Sequence, residues 1–409
     1  MGGGHAHTHL RPDEVAVASL PSRILLVVLG LIAILTLVGM FQLWPDAAAV
    51  RAAGRDVEFS APGVTYPHAT ITEVQPPCAA KKGETGTTSG PTCGQIAVTL
   101  DAGKDQGEKV LIPLLGPPAG AGLQVGDGVQ LQRILPQAGE PANYSFFGVD
   151  RDHSLLLMTI LFVVVVVAVA RLRGLLALLG LGFSGLVIVK FMLPALLSGE
   201  PGLAVALVGA SAIMFVVLYV AHGPSIRTST ALAGTLVGIG ITAALSHVAV
   251  GSNRLSGIGD ETSLRLQSLV GSLEFRGLLT CAIIIAGLGV LNDVTITQSS
   301  AVWELRAAGP DLSRREIFVS AMRIGRDHIA STIYTIVFAY TGAALSVLLL
   351  LYLYDRPLLD LLGTEDIATE VVRTLTSGIG LVLAVPVTTA IAALTVSAAG
   401  VPPTLRRRH

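Results

Sequence analysis

The chain has 409 residues, 52% of them hydrophobic and only 13% charged, with a formal net charge of -1. Its mean hydropathy is +0.69; a soluble domain carries about 25% charged residues, so the composition excludes an ordinary soluble protein. The neutral balance and the 5% aromatic content also exclude a nucleic-acid binder, which needs a basic face or a stacking platform.

Taken in order, the chain predicts an α-helical integral membrane protein with about 8 transmembrane helices. Apolar stretches near 24–44, 153–170, 174–197, 202–221, 229–250, 277–298, 329–353 and 374–397 each approach the length that crosses a bilayer core of about 30 Å. Residues 1–23 form a tail containing His5, His7 and His9. Alternating histidines bind transition metals, but three on a tail without carboxylate or thiolate support make a weak site. Residues 24–45 form the first transmembrane helix. The run is too long for a signal-peptide core and lacks a small-residue cleavage site, so it reads as a retained anchor.

Residues 46–150 break the hydropathy pattern and read as a small extracytoplasmic all-β domain, an OB-like barrel, between helices 1 and 2. Stretches 69–75, 94–101, 108–115 and 128–135 have strand-like alternation or β-branched runs, and Gly126-Asp127-Gly128 marks a turn. Cys78 and Cys93 bracket a polar Gly/Ser/Thr/Lys loop. On the extracytoplasmic side a disulfide is the natural reading, stabilising by about 3 kcal/mol; two free thiols are the alternative. Cys281, inside the sixth helix, reads as a small apolar residue.

Residues 151–398 hold the remaining seven helices, and 399–409 a basic tail ending in Arg406, Arg407 and Arg408. Arginine outside the helices lies mostly on the side of both termini, which places those termini in the cytoplasm of a bacterial inner (plasma) membrane. Two segments look interfacial. Residues 260–273 carry Leu266, Leu269, Val270 and Leu273 on one helical face. The stretch from Ser313 to Asp327 opens with Ser313 and Glu316 in capping-box spacing, then alternates apolar residues with Arg314, Arg315, Arg323 and Arg326. A basic amphipathic helix on the inner leaflet fits this pattern, as does a solvated connector.

The sixth helix enters as hydrocarbon and turns into Asn-Asp-Val-Thr-Ile-Thr-Gln-Ser-Ser at 292–300. Asp293, Thr297, Ser300 and Glu304 share one face, beside Asn292, Thr295 and Ser299. A lipid-facing carboxylate costs on the order of 3 kcal/mol at the helix centre. The stripe therefore lines a sheltered polar pathway, locks helices through hydrogen bonds, or leaves the membrane early. The seventh helix supplies a partner face of Asp327, Ser331 and Tyr334 with His328 alongside. A histidine at this position suits a proton relay or an interfacial anchor. Arg326 could neutralise either acid. His222 and Arg227 flank the Gly223-Pro224 turn at the same level and contribute to an inner mouth, or simply to a short turn. Gly234 and Gly238 form a helix-packing motif.

No phosphate loop, zinc-protease motif or intramembrane serine site is present. Gly257-Ile-Gly-Asp260 imitates an aspartyl-protease motif but lies in a loop with Tyr354-Asp355 downstream of it. The sequence gives no reason to expect an enzyme or a cofactor.

The stretch from Gly287 to Ala343, together with Tyr219–Leu236 and Val166–Gly199, closely resembles the YibE/F family of bacterial multi-pass membrane proteins. The resemblance covers about 150–398. It implies a plasma-membrane permease without an agreed substrate, and it brings no ligand residues with it. The expectation is thus a permease that moves an ion or small solute along Asn292, Asp293, Thr295, Thr297, Ser300, Asp327, His328, Ser331 and Tyr334. Its rivals are a non-transporting scaffold that recruits an envelope protein partner through 46–150, and a lipid-handling protein whose basic helix receives a headgroup. Gly- and Ala-rich helix faces also suit a homo-oligomer.

Overall fold

A computed structural model describes residues 15–55, 63–75, 94–114, 117–134, 142–353 and 357–397. His5, His7, His9, Cys78, Cys93 and the 399–409 tail lie outside the described residues. The chain divides into two compact units, Glu58–Val169 and a larger one formed by Met1–Val57 with Ala170–His409.

In the smaller unit, five strands form one antiparallel sheet: β1 (His68–Gln75), β2 (Gln95–Leu100), β3 (Lys109–Pro113), β4 (Gly128–Ile134) and β5 (Asn143–Val149), in the order β3-β2-β1-β4-β5. Alternate residues Ala69, Ile71, Ile96, Val98, Ile112, Val129 and Leu131 are fully buried on one face, as a two-residue side-chain period requires. The end strands β3 and β5 curl into contact without joining the ladder, so the sheet is a half-barrel. The four strands expected from the sequence are present. β5 escaped because Asn143, Ser145 and Gly148 give it a loop-like composition. The 126–128 turn is also real: Gly126 has φ +96°, and its N–H donates to the Ile71 carbonyl at 2.8 Å.

A charged cluster ties the β2–β3 turn to β4 and β5. Arg133 Nε donates to Asp105 Oδ2 at 2.9 Å, and the Tyr144 hydroxyl donates to the same oxygen. The hydrogen bond from Tyr144, followed by that from Arg133, holds the Asp105 carboxyl below its usual range.

The larger unit is helical. α1 (Ser19–Gln42) and α2 (Ala47–Ala53) precede the sheet; α3 (Asp152–Val187) runs from the smaller unit into the larger one and continues through a π-helical turn, Ile188–Met192, into α4 (Leu193–Leu197). Then follow α5 (Gly202–His222), α6 (Ile226–Ser252), α7 (Glu261–Leu269), α8 (Phe275–Ala308), α9 (Arg314–Ala343), α10 (Leu345–Leu353), α11 (Leu358–Leu362) and α12 (Glu365–Thr395).

Six helices among the described residues are long and apolar enough to cross a membrane, or up to seven if α9 and α10, bent by 64°, count as one span. Leu35, Leu37 and Phe41 of α1 and Leu349 and Leu353 of α10 are exposed; an apolar surface of that extent marks a membrane protein. The expected stretches 153–170 and 174–197 are present as two helices that meet at a kink within the run Asp152–Leu197. The run is interrupted only at Arg171, whose φ of 55° and ψ of -136° are not helical. Arg171 thus holds a strained conformation for a residue with a Cβ.

The two segments read as interfacial differ in outcome. Asp260 caps α7, accepting from Ser263 N–H at 2.6 Å, and this helix buries nothing. The Ser313–Glu316 capping box is present in full. The basic segment behind it, however, is the first half of α9 and runs straight into the apolar half, because no Gly or Pro pair interrupts it.

At the centre, α6 packs antiparallel to both α8 and α12, with α5 beside α6 and α8, α1 on α5, and α9 on α8 and α12. Glycine makes the approach possible. A Cβ at Gly234 would fall 1.9 Å from Thr388 Oγ1, and one at Gly380 would fall 2.0 Å from Thr242 Oγ1. The expected packing role of Gly234 and Gly238 therefore holds, with α12 and Leu291 of α8 as the partners. One end of the bundle, here the Val396 end, is tied by a short antiparallel bridge between Val17 and Val396. There Ala18 N–H donates to Thr395 O at 2.8 Å, and Ser397 N–H to Ala16 O at 2.9 Å. At the opposite, Glu365 end, Glu365 Oε1 accepts from Ser256 N–H at 2.6 Å, Ser256 Oγ at 2.5 Å and Gly257 N–H at 3.0 Å.

Two outcomes follow. Gly202→Ala places a methyl 2.3 Å from the Gly277 carbonyl group, which is backbone and cannot give way, whereas Gly182 has nothing within 4 Å. In a detergent melting curve Gly202→Ala should cost about 1–3 kcal/mol, while Gly182→Ala should be close to neutral. Separately, the depressed Asp105 carboxyl stabilises the folded sheet above the ordinary carboxylate range, and this contribution fades as pH falls through its lowered pKa. The hydrogen-exchange protection of β4 and β5, taken relative to the intrinsic rate at each pH, should therefore fall on acidification below about pH 4, near the ordinary Asp value, and less so in Asp105→Asn.

Candidate functional site

The polar stretch of α8 has two sides, and the structure buries the one that does not carry Asp293. Thr295, Gln298 and Ser299 are buried with Val302 and Arg306. Thr295 Oγ1 lies 2.6 Å from Thr235 Oγ1 of α6. Gln298 Nε2 donates to the Ala321 carbonyl of α9 at 2.8 Å, and Ser299 Oγ to the Arg227 carbonyl at 2.8 Å. Asp293 lies on the other side with its carboxylate 68% exposed, and its nearest charged neighbour is His328 Nε2 at 3.7 Å. Thr297 and Ser300 are half-buried and Glu304 is exposed. Asn292 Oδ1 is buried beside Asp293 without a hydrogen-bond partner.

α9 shows the same inversion. Its inward residues are Ile317, Ala321, Gly325, Thr332 and Ile336. Asp327, Ser331 and Tyr334 face away from the bundle, Tyr334 being 62% exposed. The structure therefore brings Asp293 and His328 together but spreads Asp327, Ser331 and Tyr334 over the outside. Among the described residues, Arg326 pairs with neither acid. His222 is exposed, and Arg227 contributes its backbone carbonyl rather than its charge.

The buried polar groups instead form a seam between α6, α8 and α12. From the Val396 end it contains Thr230 and Thr395, 3.4 Å apart, then Thr235 with Thr295, then Thr388, and then Thr242 against Gly380. Most of these hydroxyls are self-contained. Thr235, Thr388 and Thr376 each donate to the carbonyl four residues back, at 2.7–2.9 Å, a bond that lets threonine sit inside an apolar bundle. Two serines make no such bond. Ser246 is 0% exposed and Ser377 is 4% exposed, and neither Oγ has a hydrogen bond of normal geometry, although the Tyr340 hydroxyl is close to Ser377. Extending the antiparallel register of α6 on α12 by one turn brings Ser246 level with Ser377. A buried unsatisfied hydroxyl costs about 1–3 kcal/mol, so these two differ from the rest of the seam.

Above Ser377 a cavity of about 350 Å³ opens at the Glu365 end, lined by Asp260, Asp366, Thr369, Glu370 and Arg373 together with apolar residues of α8 and α10. Thr369, Arg373 and Ser377 stand at successive turns of one face of α12. Thr369 Oγ1 and Arg373 Nε are buried without partners, while an Arg373 terminal nitrogen pairs with Glu370 at 2.9 Å. A second, apolar cavity of about 570 Å³ lies between α1, α5, α6 and α12, lined among others by Leu20, Ile24, Val28, Leu236, Ile239 and Leu394. Neither cavity is lined by Asp293. Among the described residues no three His, Cys, Asp or Glu side chains gather as a metal site.

The seam escaped the sequence reading because that reading followed charge. The available signal was clustered hydroxyls in two helices, α6 and α12, as in Thr228-Ser229-Thr230…Gly234-Thr235, Thr376-Ser377-Gly378 and Thr388-Thr389. No curated protein and no solved structure matches the chain. The profile of the YibE/F-like proteins matches residues 158–398, which is more than half of the chain and contains the whole seam, both orphaned serines and α9; the chain belongs to the YibE/F-like family.

Proposed function

We propose that the chain is a plasma-membrane permease that moves a small polar solute or ion along the α6/α8/α12 seam. Its termini would be cytoplasmic, its β domain extracytoplasmic, and its chain would cross the membrane eight times with Arg171 as one boundary. The observation that carries this reading is the face of Thr369, Arg373 and Ser377. It descends from the polar cavity at the Glu365 end to the buried hydroxyl of Ser377, which only Tyr340 approaches, and to that of Ser246, which has no hydrogen-bond partner. Polar groups that are both buried and unsatisfied within membrane helices mark ion or solute paths more often than plain packing. The seam itself offers hydroxyls and one amide, with charge kept to its two ends, which suits a small solute shedding part of its hydration. The tight contacts of Gly238 with Leu291 and of Gly380 with Thr242 would close the path between its two halves.

In proteoliposomes assayed with a pH-sensitive dye and with labelled monovalent cations, amino acids and sugars, Ser377→Val should lower the flux of the transported probe at least tenfold while the protein still folds. Asp293→Asn should change it far less, since that carboxylate stands outside the seam. Equal flux in wild type and Ser377→Val would overturn the pathway.

The apolar cavity favours a second reading, lipid handling. It opens along α1, whose Leu20, Ile24 and Val28 are exposed, so an acyl chain can enter from the side. Native mass spectrometry should then find less co-purifying phospholipid on Val28→Trp than on wild type; unchanged lipid would remove the groove from consideration.

A further inference from the structure

α8 and α9 meet in a tight turn at Gly309–Ser313, and beneath it lies the most buried charge among the described residues. Arg306 is only 3% exposed. One terminal nitrogen, Nη1, donates to Pro310 O at 2.9 Å and to Leu312 O at 2.7 Å. Its Nε and Nη2 are buried with no partner at all, which leaves three of the five guanidinium N–H groups unused. Capping the turn needs only the two bonds already made, so it does not account for the other three.

Arg314, the first residue of α9, is near enough to Arg306 for the two charges to repel. Its Nη2 donates to Val396 O at 3.1 Å, and its own Nε is buried and unpartnered. Among the described residues neither guanidinium has a carboxylate partner. Glu316 is committed to the Ser313 N–H at 2.7 Å, and Asp311 and Glu304 point to solvent. A buried cation and a half-buried one stand side by side without a counter-ion, which is costly; Arg306 lies in the last turn of α8, whose carbonyl end favours a cation, while Arg314 opens the 30-residue α9, where the backbone dipole adds positive potential.

We propose that Arg306 and Arg314 form a binding site for a phosphate group, supplied by a lipid headgroup or by a soluble phosphate. Guanidinium forks match tetrahedral oxyanions in geometry and charge. The ligand reaches the unused nitrogens by displacing the short turn above them, where Leu312 folds over Gly309. The location suits a lipid in particular: Arg314 holds the carbonyl of Val396, next to Thr395, which lines the lower end of the apolar groove. The site does not depend on transport and stands or falls separately from the seam.

The test uses the full chain in two settings. In phosphate-free detergent, inorganic phosphate is titrated at constant ionic strength against chloride. In nanodiscs, phosphatidylcholine alone is compared with phosphatidylcholine containing phosphatidic acid. Melting temperature and bound phosphate by 31P NMR are read in both. Wild type should be stabilised by several degrees, saturably, in at least one setting; inorganic phosphate alone sufficing identifies a soluble ligand, and a response confined to phosphatidic acid identifies a headgroup. Arg314→Gln, at a half-buried position that should fold, should lose the effect, as should Arg306→Gln, while Arg315→Gln, exposed one residue on, should keep it. No stabilisation of wild type in either setting, or an equal effect in Arg314→Gln, overturns the site.

Discussion

The whole bundle rests on the closeness of α6 to α12. At Gly234 and Gly380 the two backbones approach until a threonine hydroxyl occupies the space where a side chain would begin. Within lipid there is little hydrophobic force to draw helices together, so contact at van der Waals distance has to replace it. Once α6 and α12 are locked in antiparallel register, α8 has a groove to lie in, and α9 can pack against both α8 and α12. The 45 glycines of the chain are a compositional trace of this strategy.

The same closeness explains why the interior is polar without being charged. Most buried threonines return their proton to their own helix, so a hydroxyl can be buried at little cost. Ser246 and Ser377 break the pattern, since a serine lacks the methyl that would fill the neighbouring space and here also lacks the backbone bond. Arg306 breaks it in the opposite direction, as a full charge held under a loop. These three are among the places where the fold tolerates a cost that packing does not explain.

Much of the architecture was legible in the sequence. The long helices, the first four strands, the Gly126 turn and the Ser313 capping box all rest on local signals, namely hydropathy, two-residue alternation, φ preference and cap spacing. The candidate site was legible only in part. Asn292–Ser300 is indeed the polar turn of α8, but which side of it faces inward depends on the neighbours, and those lie far away in sequence, in α6 and α12. Asp293 drew attention because an acid in an apolar run is conspicuous; it sits beside His328 on the rim. The continuity of α9 was beyond a hydropathy window, which cannot see a basic half-helix run on into an apolar one.

The bridge between Val17 and Val396 has a consequence for biosynthesis. The residues just ahead of the first helix find their partner only once α12 has been synthesised. Until then α1 is held by its packing on α5 and α6, without a backbone bridge. Emergence of α12 thus clasps the segment ahead of α1 to a bundle whose earlier helices have already met, and assembly ends in a closing step rather than a gradual accretion.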